Sequence, residues 1–490
     1  MAESATRKYV VAEHNYDESL LEKLERYKPG GYHPVAIGDL LGESDRYRVV
    51  HKLGHGGYAT VWLCHDKFSN KWRAVKIVMA NASRLDCPDL MAIERFRGVD
   101  PKVLEANHIQ LPLEHFWMNG PNGRHLCLVL PFLGPNLNYL FTAYGHLTEM
   151  LKDICFQAAQ ALNYVHSLEL CHDDFRPENI LLRLADGAGP EVDYLGFHPT
   201  AGKGWKERLA ETPLLDPEEI EPGVPRYLVL PAATHYGAGI YSNQIALIDF
   251  GVSYPVREPP VGKGTGIPLP YAPPEGLFAL DQLLGFHSDI WSLGCTMLQV
   301  RLGFLPFGTF LDSFLEQIEG LEWVLGPLPN PYRKVWKEWD GVFVNHDEES
   351  EDCDSDDDSW KDDETVLATV PTYQKLELEQ ERAEKLEKER GEKVGDGNWL
   401  KYLMLKGHEM AVNKSKAAEI AAKAQASPHL LPSFEPKSER ELYRGDGYRY
   451  TMTRDEFEQL HDLCQKIFQW QPEQRATLDT ILAHEWFKGR

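Results

Sequence analysis

A glycine-bearing turn between two strand-like runs constrains this chain more than any other feature. Residues 46–54 (RYRVVHKLG), 58–66 (YATVWLCHD) and 72–80 (WRAVKIVMA) are rich in β-branched and aromatic side chains and are separated by Gly, His, Asp, Ser and Asn, so they read as three short strands. The first two are joined through Leu53-Gly54-His55-Gly56-Gly57-Tyr58-Ala59-Thr60-Val61. Without Cβ atoms the backbone of such a turn can approach a phosphate closely. Because the glycines join two strands and do not open a helix, a dinucleotide-binding crossover is disfavoured. The third run carries Ala74-Val75-Lys76, and a further strand follows at 125–132 (HLCLVLPF).

Helical patterning takes over downstream. Apolar residues recur at three and four across 147–167, and 287–304 (HSDIWSLGCTMLQVRLGF) reads as a buried helix. Between them lie His172-Asp173-Asp174-Phe175-Arg176-Pro177-Glu178-Asn179 and a buried strand ending in Asp249-Phe250-Gly251. Asp174 and Asn179 are spaced as a carboxylate that accepts a hydroxyl's hydrogen bond and an amide oxygen that holds Mg²⁺. Asp249 offers a second metal carboxylate. Tyr271-Ala272-Pro273-Pro274-Glu275, Asp289 and Arg475 complete the series, Asp289 as a buried carboxylate at a helix start and Arg475 as a partner for Glu275. Each motif alone has an ordinary structural explanation. Their order along one chain is what carries weight.

Charge and composition narrow the class. With 51 Lys and Arg against 75 Asp and Glu the net charge is −24, which argues against direct nucleic-acid binding and favours basic partners. Residues 347–364 hold twelve acidic residues and one lysine, and 373–393 reads as a charged helix with Glu-before-Lys pairs four apart. Both fall in an insertion expected at about 335–450, and another is expected at about 184–243, where periodicity fades. The eight cysteines form no C-x-x-C pair, which suits reduced thiols in cytoplasm or nucleus. No run of about 18 apolar residues exists, so no membrane span is expected.

The ordered motifs resemble those of eukaryotic protein kinases. The approach to the glycine turn, Tyr27-Lys28-Pro29-Gly30-Gly31-Tyr32-His33-Pro34-Val35 and then Ile37-Gly38-Asp39-Leu40, resembles the SR protein kinases, which phosphorylate serines in arginine/serine-rich proteins; Thr60-Val61-Trp62-Leu63 and Ser288-Asp289-Ile290-Trp291-Ser292-Leu293-Gly294-Cys295 are similar too. The resemblance implies an α+β, bilobal protein-kinase fold: an N-terminal extension at 1–45, a β-rich N-lobe at 46–134 and a helical C-lobe at 135–488. It implies ATP and Mg²⁺ as cofactors. ATP would lie against Leu53 to Val61, Lys76 and the hinge residues Pro131 and Leu133, with Leu130 behind the adenine. Asn179 and Asp249 would hold the metal. Asp174, Lys76 and Arg176 would be catalytic, and Glu275, Asp289 and Arg475 structural. The implied partners are basic Arg/Ser-rich proteins, met by a monomer in cytoplasm and nucleus and acting in mRNA processing.

Several positions depart from the kinase pattern. Ala59 replaces the third glycine, Asp173 stands where kinases usually carry Arg, Arg176 where Ser/Thr kinases carry Lys, and Pro268 where many carry Thr. Asp173 suggests activity without activation-loop phosphorylation. Around Asp89-Leu90-Met91-Ala92-Ile93-Glu94 the apolar register puts Ala92 where the carboxylate partner of Lys76 belongs, and Glu94 is the nearest carboxylate to that position, about 200° around the helix. A pseudokinase scaffold that keeps the fold without useful turnover is therefore the alternative, separated from an active enzyme by whether a helix carboxylate reaches Lys76.

Overall fold

The computed structural model describes residues 21–138, 140–185, 223–229, 231, 240–260, 266–307, 314–337, 410–411, 414–427, 429–431, 449–450 and 452–488. The N-terminal residues 1–20, the acidic run 347–364 and the charged helix expected at 373–393 lie outside them. In chain order the first elements are β1 (Leu40–Leu41), β2 (Tyr47–His55), β3 (Ala59–Asp66), β4 (Lys71–Val78), α1 (Pro88–Arg95), α2 (Pro101–Ala106), β5 (Glu114–Gly120) and β6 (Gly123–Pro131). Then come α3 (Leu140–Tyr144), α4 (Thr148–Ser167), β7 (Leu170–Cys171), β8 (Ile180–Leu184), β9 (Tyr241–Leu247), β10 (Tyr254–Pro255), α5 (Pro274–Leu277), α6 (Phe286–Leu302) and α7 (Phe314–Leu325). The last are β11 (Met410–Ala411), α8 (Lys414–Ala426), β12 (Arg449–Tyr450), α9 (Arg454–Ile467) and α10 (Leu478–Leu482).

The described residues fall into two compact units. The first comprises those up to Leu137, those of Asn179–Gly251 and those of Ala418–Glu441. Its main sheet has the order β1-β2-β3-β4-β6-β5, and all of the pairings are antiparallel. Alternation along the strands sorts side chains onto two faces. Tyr47, Val49, Trp62, Cys64, Val75, Ile77, Cys127 and Val129 make one core with Val35, Leu41 and Val229. The opposite face packs Val78, Leu126 and Leu128 against Cys87, Leu90 and Ile93 around α1. Val61 pairs with Lys76 and Lys76 with Leu128, so Lys76 projects on this second face.

Two stretches read as insertions contribute to this unit. Gly223 accepts from the Asn122 amide, the Tyr227 hydroxyl accepts from the Ile37 amide, and Val229 joins the core. Leu431 is buried and its amide donates to the Tyr241 carbonyl at 3.0 Å, extending the edge of β9. Patterning hides both because a few residues covering a sheet give no period.

The second unit comprises the described residues of Asn138–Glu178, Val252–Ala417 and Leu442–Arg490. Leu151, Ile154, Ala158, Leu162 and Val165 of α4, spaced by three and four, are buried. Helix α6 is buried almost all round and ends at Gly303, whose φ of 74° is the left-handed conformation that closes a helix. Trp291 of α6 stacks on Phe307 at 4.8 Å and meets Phe468 edge-on at 5.0 Å. Arg301 of α6 pairs with Glu456 of α9 at 2.7 Å, a buried ion pair that no sequence pattern announces.

Candidate active site

In the first unit, Lys76 is the centre of a charged cluster. Its ammonium lies 2.5 Å from Asp249 Oδ1 and 3.3 Å from Asp89 Oδ1. Burial pulls the Lys76 pKa down, but the charges of Asp249 and Asp89 outweigh it and hold the pKa above the ordinary lysine value. Burial raises the Asp89 pKa, with Lys76 opposing and Asp249 reinforcing. Asp89 sits in the first turn of α1, after Cys87 and Pro88, where a carboxylate suits the helix N-terminus.

The apolar register, which puts Ala92 at the partner position and leaves Glu94 or no carboxylate for Lys76, is thereby corrected. Glu94 is exposed and pairs with Arg97 at 2.5 Å, whereas Asp89 reaches Lys76. Ala92 is fully buried, so the apolar register marks the correct face; the acid lies on that face one turn earlier. Proline at the helix start followed by Asp was the sequence signal for it.

Asp249 has φ of +63°, left-handed backbone that Asp tolerates better than most residues. Its Oδ1 accepts from the Gly251 amide at 3.2 Å. A Cβ on Gly251 would stand 3.0 Å from that oxygen and 3.3 Å from Lys76 Nζ, so glycine leaves the cluster its room. Phe250 is buried edge-on against Phe96 at 5.5 Å, just beyond α1. Antiparallel pairing of β8 with β9 sets Ile180 opposite Leu247, and the Ile248 amide donates to the Asn179 carbonyl at 3.0 Å. Asn179 and Asp249 therefore share one end of that strand pair.

The glycine turn closes β2 onto β3, with Gly54 opposite Val61 and His55 opposite Thr60. A Cβ on Gly54, Gly56 or Gly57 would meet no atom within 4 Å. The protein's own packing thus does not demand glycine at these positions, and the missing side chains leave space beside the backbone. Leu53 is half-buried and Tyr58 exposed, while Ala59 begins β3. Pro131 ends β6 opposite Arg73, and Leu130 pairs with Ala74. Beyond the half-buried Leu133, the Gly134 amide donates to the Leu182 carbonyl at 2.8 Å.

The second unit holds the His172–Glu178 loop. Asp289 organises it: its Oδ2 accepts from the His172 amide at 2.8 Å and its Oδ1 from the Asp173 amide at 2.9 Å. Burial would raise the Asp289 pKa, but the hydrogen bond and charge of His166, 2.8 Å away, leave it lowered. Asp173 is buried with φ of +61°, and its Oδ2 accepts from the Gly266 amide at 3.2 Å. Burial, then the Asp289 charge, push its pKa up to about 8. Arg176 Nε donates to Asp174 Oδ1 at 2.7 Å, and its Nη1 lies 3.3 Å from Glu178. Glu275 and Arg475 form a fully buried fork of two 2.7 Å hydrogen bonds, steadied by Ser288 at 2.8 Å.

Residues 47–192 and 240–487 match the sequence profile described as Protein kinase domain. The chain belongs to the protein kinase family. Its relatives include Protein kinase dsk1 of Schizosaccharomyces pombe, 37% identical over 178 residues, which are 35% of this chain and 32% of that protein. Serine/threonine-protein kinase SKY1 of Saccharomyces cerevisiae is 36% identical over 182 residues, 35% of this chain and 24% of that protein. SRSF protein kinase 3 of Homo sapiens is 34% identical over 180 residues, 35% of this chain and 31% of that protein. The matched stretch thus spans about a third or less of each of these relatives. The kinase fold and the SR-kinase resemblance expected from the motifs agree with these matches. Among the described residues no helix is long and apolar enough to cross a membrane.

Proposed function

We propose that this kinase-family chain is an ATP-dependent serine/threonine protein kinase of the SR protein kinase type, acting on basic Arg/Ser-rich proteins. The observation that carries the reading is Lys76 held between Asp89 and Asp249. That pairing supplies the helix carboxylate whose absence motivated the pseudokinase alternative.

The residues suit the reactants. Open space beside Gly54, Gly56 and Gly57 accommodates phosphates, and Lys76 neutralises two of them. Pro131 and Leu133 border the adenine, with Leu130 behind it. Asp249 and Asn179 offer hard oxygen donors from one end of a strand pair, which fits Mg²⁺. When bound, the ion neutralises phosphate charge. Asp174 orients the attacking hydroxyl. Arg176 places a cation near the transferred group once it leaves Asp174. A bond forms from the serine oxygen to the γ-phosphorus, the bond to the ADP oxygen breaks and the hydroxyl proton passes to Asp174, so positioning and charge neutralisation do the catalytic work. Asp289 and the Glu275–Arg475 fork hold the loop and segment in place.

Net charge of −24 supports basic substrates through steering at distances up to about 10 Å in 0.1 M salt. The proposal extends to a monomer working in cytoplasm and nucleus. The decisive assay supplies the 490-residue chain with labelled ATP, Mg²⁺ and matched Arg/Ser and Glu/Ser peptides across a salt series. The expected result is higher kcat/KM for Arg/Ser, narrowing as salt rises. Equal values at low salt remove the basic-substrate reading, and no transfer to any peptide removes the kinase reading.

A further inference from the structure

The glycine turn is gripped from one side by the segment that precedes the sheet. The Tyr32 hydroxyl donates to the Gly56 carbonyl at 2.5 Å, and Arg26 Nη1 donates to the Gly57 carbonyl at 2.7 Å. These carbonyls belong to consecutive peptide groups. In a planar trans peptide the N–H of the next residue points opposite to the C=O. Tying both carbonyls to the preceding segment therefore turns the amides of Gly57 and Tyr58 the other way. Among the described residues neither amide donates to a protein acceptor. Successive N–H groups turned outward in this manner make a cradle for an anion.

The gripping segment is itself well fastened. Gly30 donates to the Asn122 carbonyl at 2.7 Å and accepts from Asn81 at 2.8 Å, while Gly31 accepts from Ala80 at 3.1 Å. The Asn122 side chain donates to the Tyr32 carbonyl at 2.7 Å. Gly30 has φ of +85°, and a Cβ on Gly31 would sit 1.9 Å from the Arg26 carbonyl oxygen, so both must be glycine. Tyr27 packs edge-on against Tyr32 at 5.5 Å and donates to Glu22 at 2.6 Å. Glu22 forms a buried ion pair with Lys52 on β2, the strand that leads into the turn.

We propose that residues 22–32 brace the glycine turn, with Tyr32 and Arg26 as positioning residues that aim the Gly57 and Tyr58 amides at the phosphates of ATP. This rests on the reading of the turn as the phosphate site. The test compares ATP and adenosine binding by the 490-residue wild type, Tyr32→Phe, and Tyr32→Phe with Arg26→Lys. Tyr32→Phe removes one hydroxyl and no charge, and Arg26→Lys keeps the charge while removing the guanidinium whose Nη1 donates to Gly57. Expected is a roughly three- to tenfold loss of ATP affinity for Tyr32→Phe and a larger loss for the double variant. Adenosine affinity and melting temperature should stay unchanged. Unchanged ATP affinity overturns the brace, and so does an equal loss for adenosine, which would mark general distortion. Wild type that binds neither nucleotide nor nucleoside overturns the phosphate-site reading instead. In that event hydrogen exchange across residues 54–61 judges the brace alone: faster exchange in the variants upholds it, and unchanged exchange overturns it.

Discussion

The carboxylate of Asp89 reaches the ammonium of Lys76 at 3.3 Å from the first turn of a short helix, one turn before the buried Ala92. Lys76 is thus held by two acids, one from the helix and one from the strand-end Asp249. Removing either leaves a largely buried cation with half its partners.

Asp89→Asn should lower kcat/KM for ATP by roughly ten- to hundredfold, the scale of one hydrogen bond to a charged group. Glu94→Gln, which touches only the exposed pair with Arg97, should stay within about twofold. Steady-state kinetics over an ATP series check both. A larger loss for Glu94→Gln than for Asp89→Asn would make Glu94 the helix partner, and no loss for Asp89→Asn would leave Lys76 without one.

Asp174→Ala should cut kcat by at least roughly a hundredfold while ATP still binds, as expected for a group that orients the hydroxyl and does not grip the nucleotide. Lys76→Met and Asp249→Ala should each weaken Mg-ATP binding as well. Single-turnover kinetics beside nucleotide titration separate the two behaviours.

Breaking the Glu275–Arg475 fork leaves one buried charge unpaired. Arg475→Met should therefore destabilise the fold by about 3–5 kcal/mol, read as a lowered urea midpoint. An unchanged midpoint would contradict the burial of the pair.

Asp173 should make stability fall as pH rises. Its folded pKa of about 8 lies above the ordinary aspartate value, so between roughly pH 4 and 8 the folded chain binds a proton that the unfolded chain has lost. Its contribution is complete below the unfolded value and is lost through the folded one. Asp173→Asn can still accept from Gly266 and should flatten this part of the pH profile, gaining most near pH 8. Denaturation of both proteins across pH 4–9 reads the difference.

Deleting residues 347–393, which the charge pattern reads as part of an insertion with no core-forming apolar face, should leave a cooperatively folding chain, since long insertions cost little loop-closure entropy. Leu431→Ala should instead cost about 2–5 kcal/mol, because Leu431 is 1% exposed at the edge of β9. Urea denaturation of each variant tests the contrast, and equal stability of Leu431→Ala and wild type would detach this segment from the sheet.

Local chemistry alone made much of the molecule legible. Period-two runs with Gly and Asn turns marked β2, β3, β4 and β6, and period-three-and-four apolar spacing marked α4 and α6, because those patterns report how a single element buries one face. The order of the glycine turn, Lys76, the His172–Asn179 loop and Asp249 announces the kinase family by itself. What folding alone decided was which separated side chains meet. Whether Asp89 or Glu94 faces Lys76 depends on where an eight-residue helix starts against the sheet, and apolar spacing sets a face but not a height along it. The Tyr32 and Arg26 bonds to the turn, the Glu22–Lys52 pair and the Arg301–Glu456 pair join residues 24 to 155 positions apart. Contacts at such separations leave no period in a sequence; they exist only once the chain has closed upon itself.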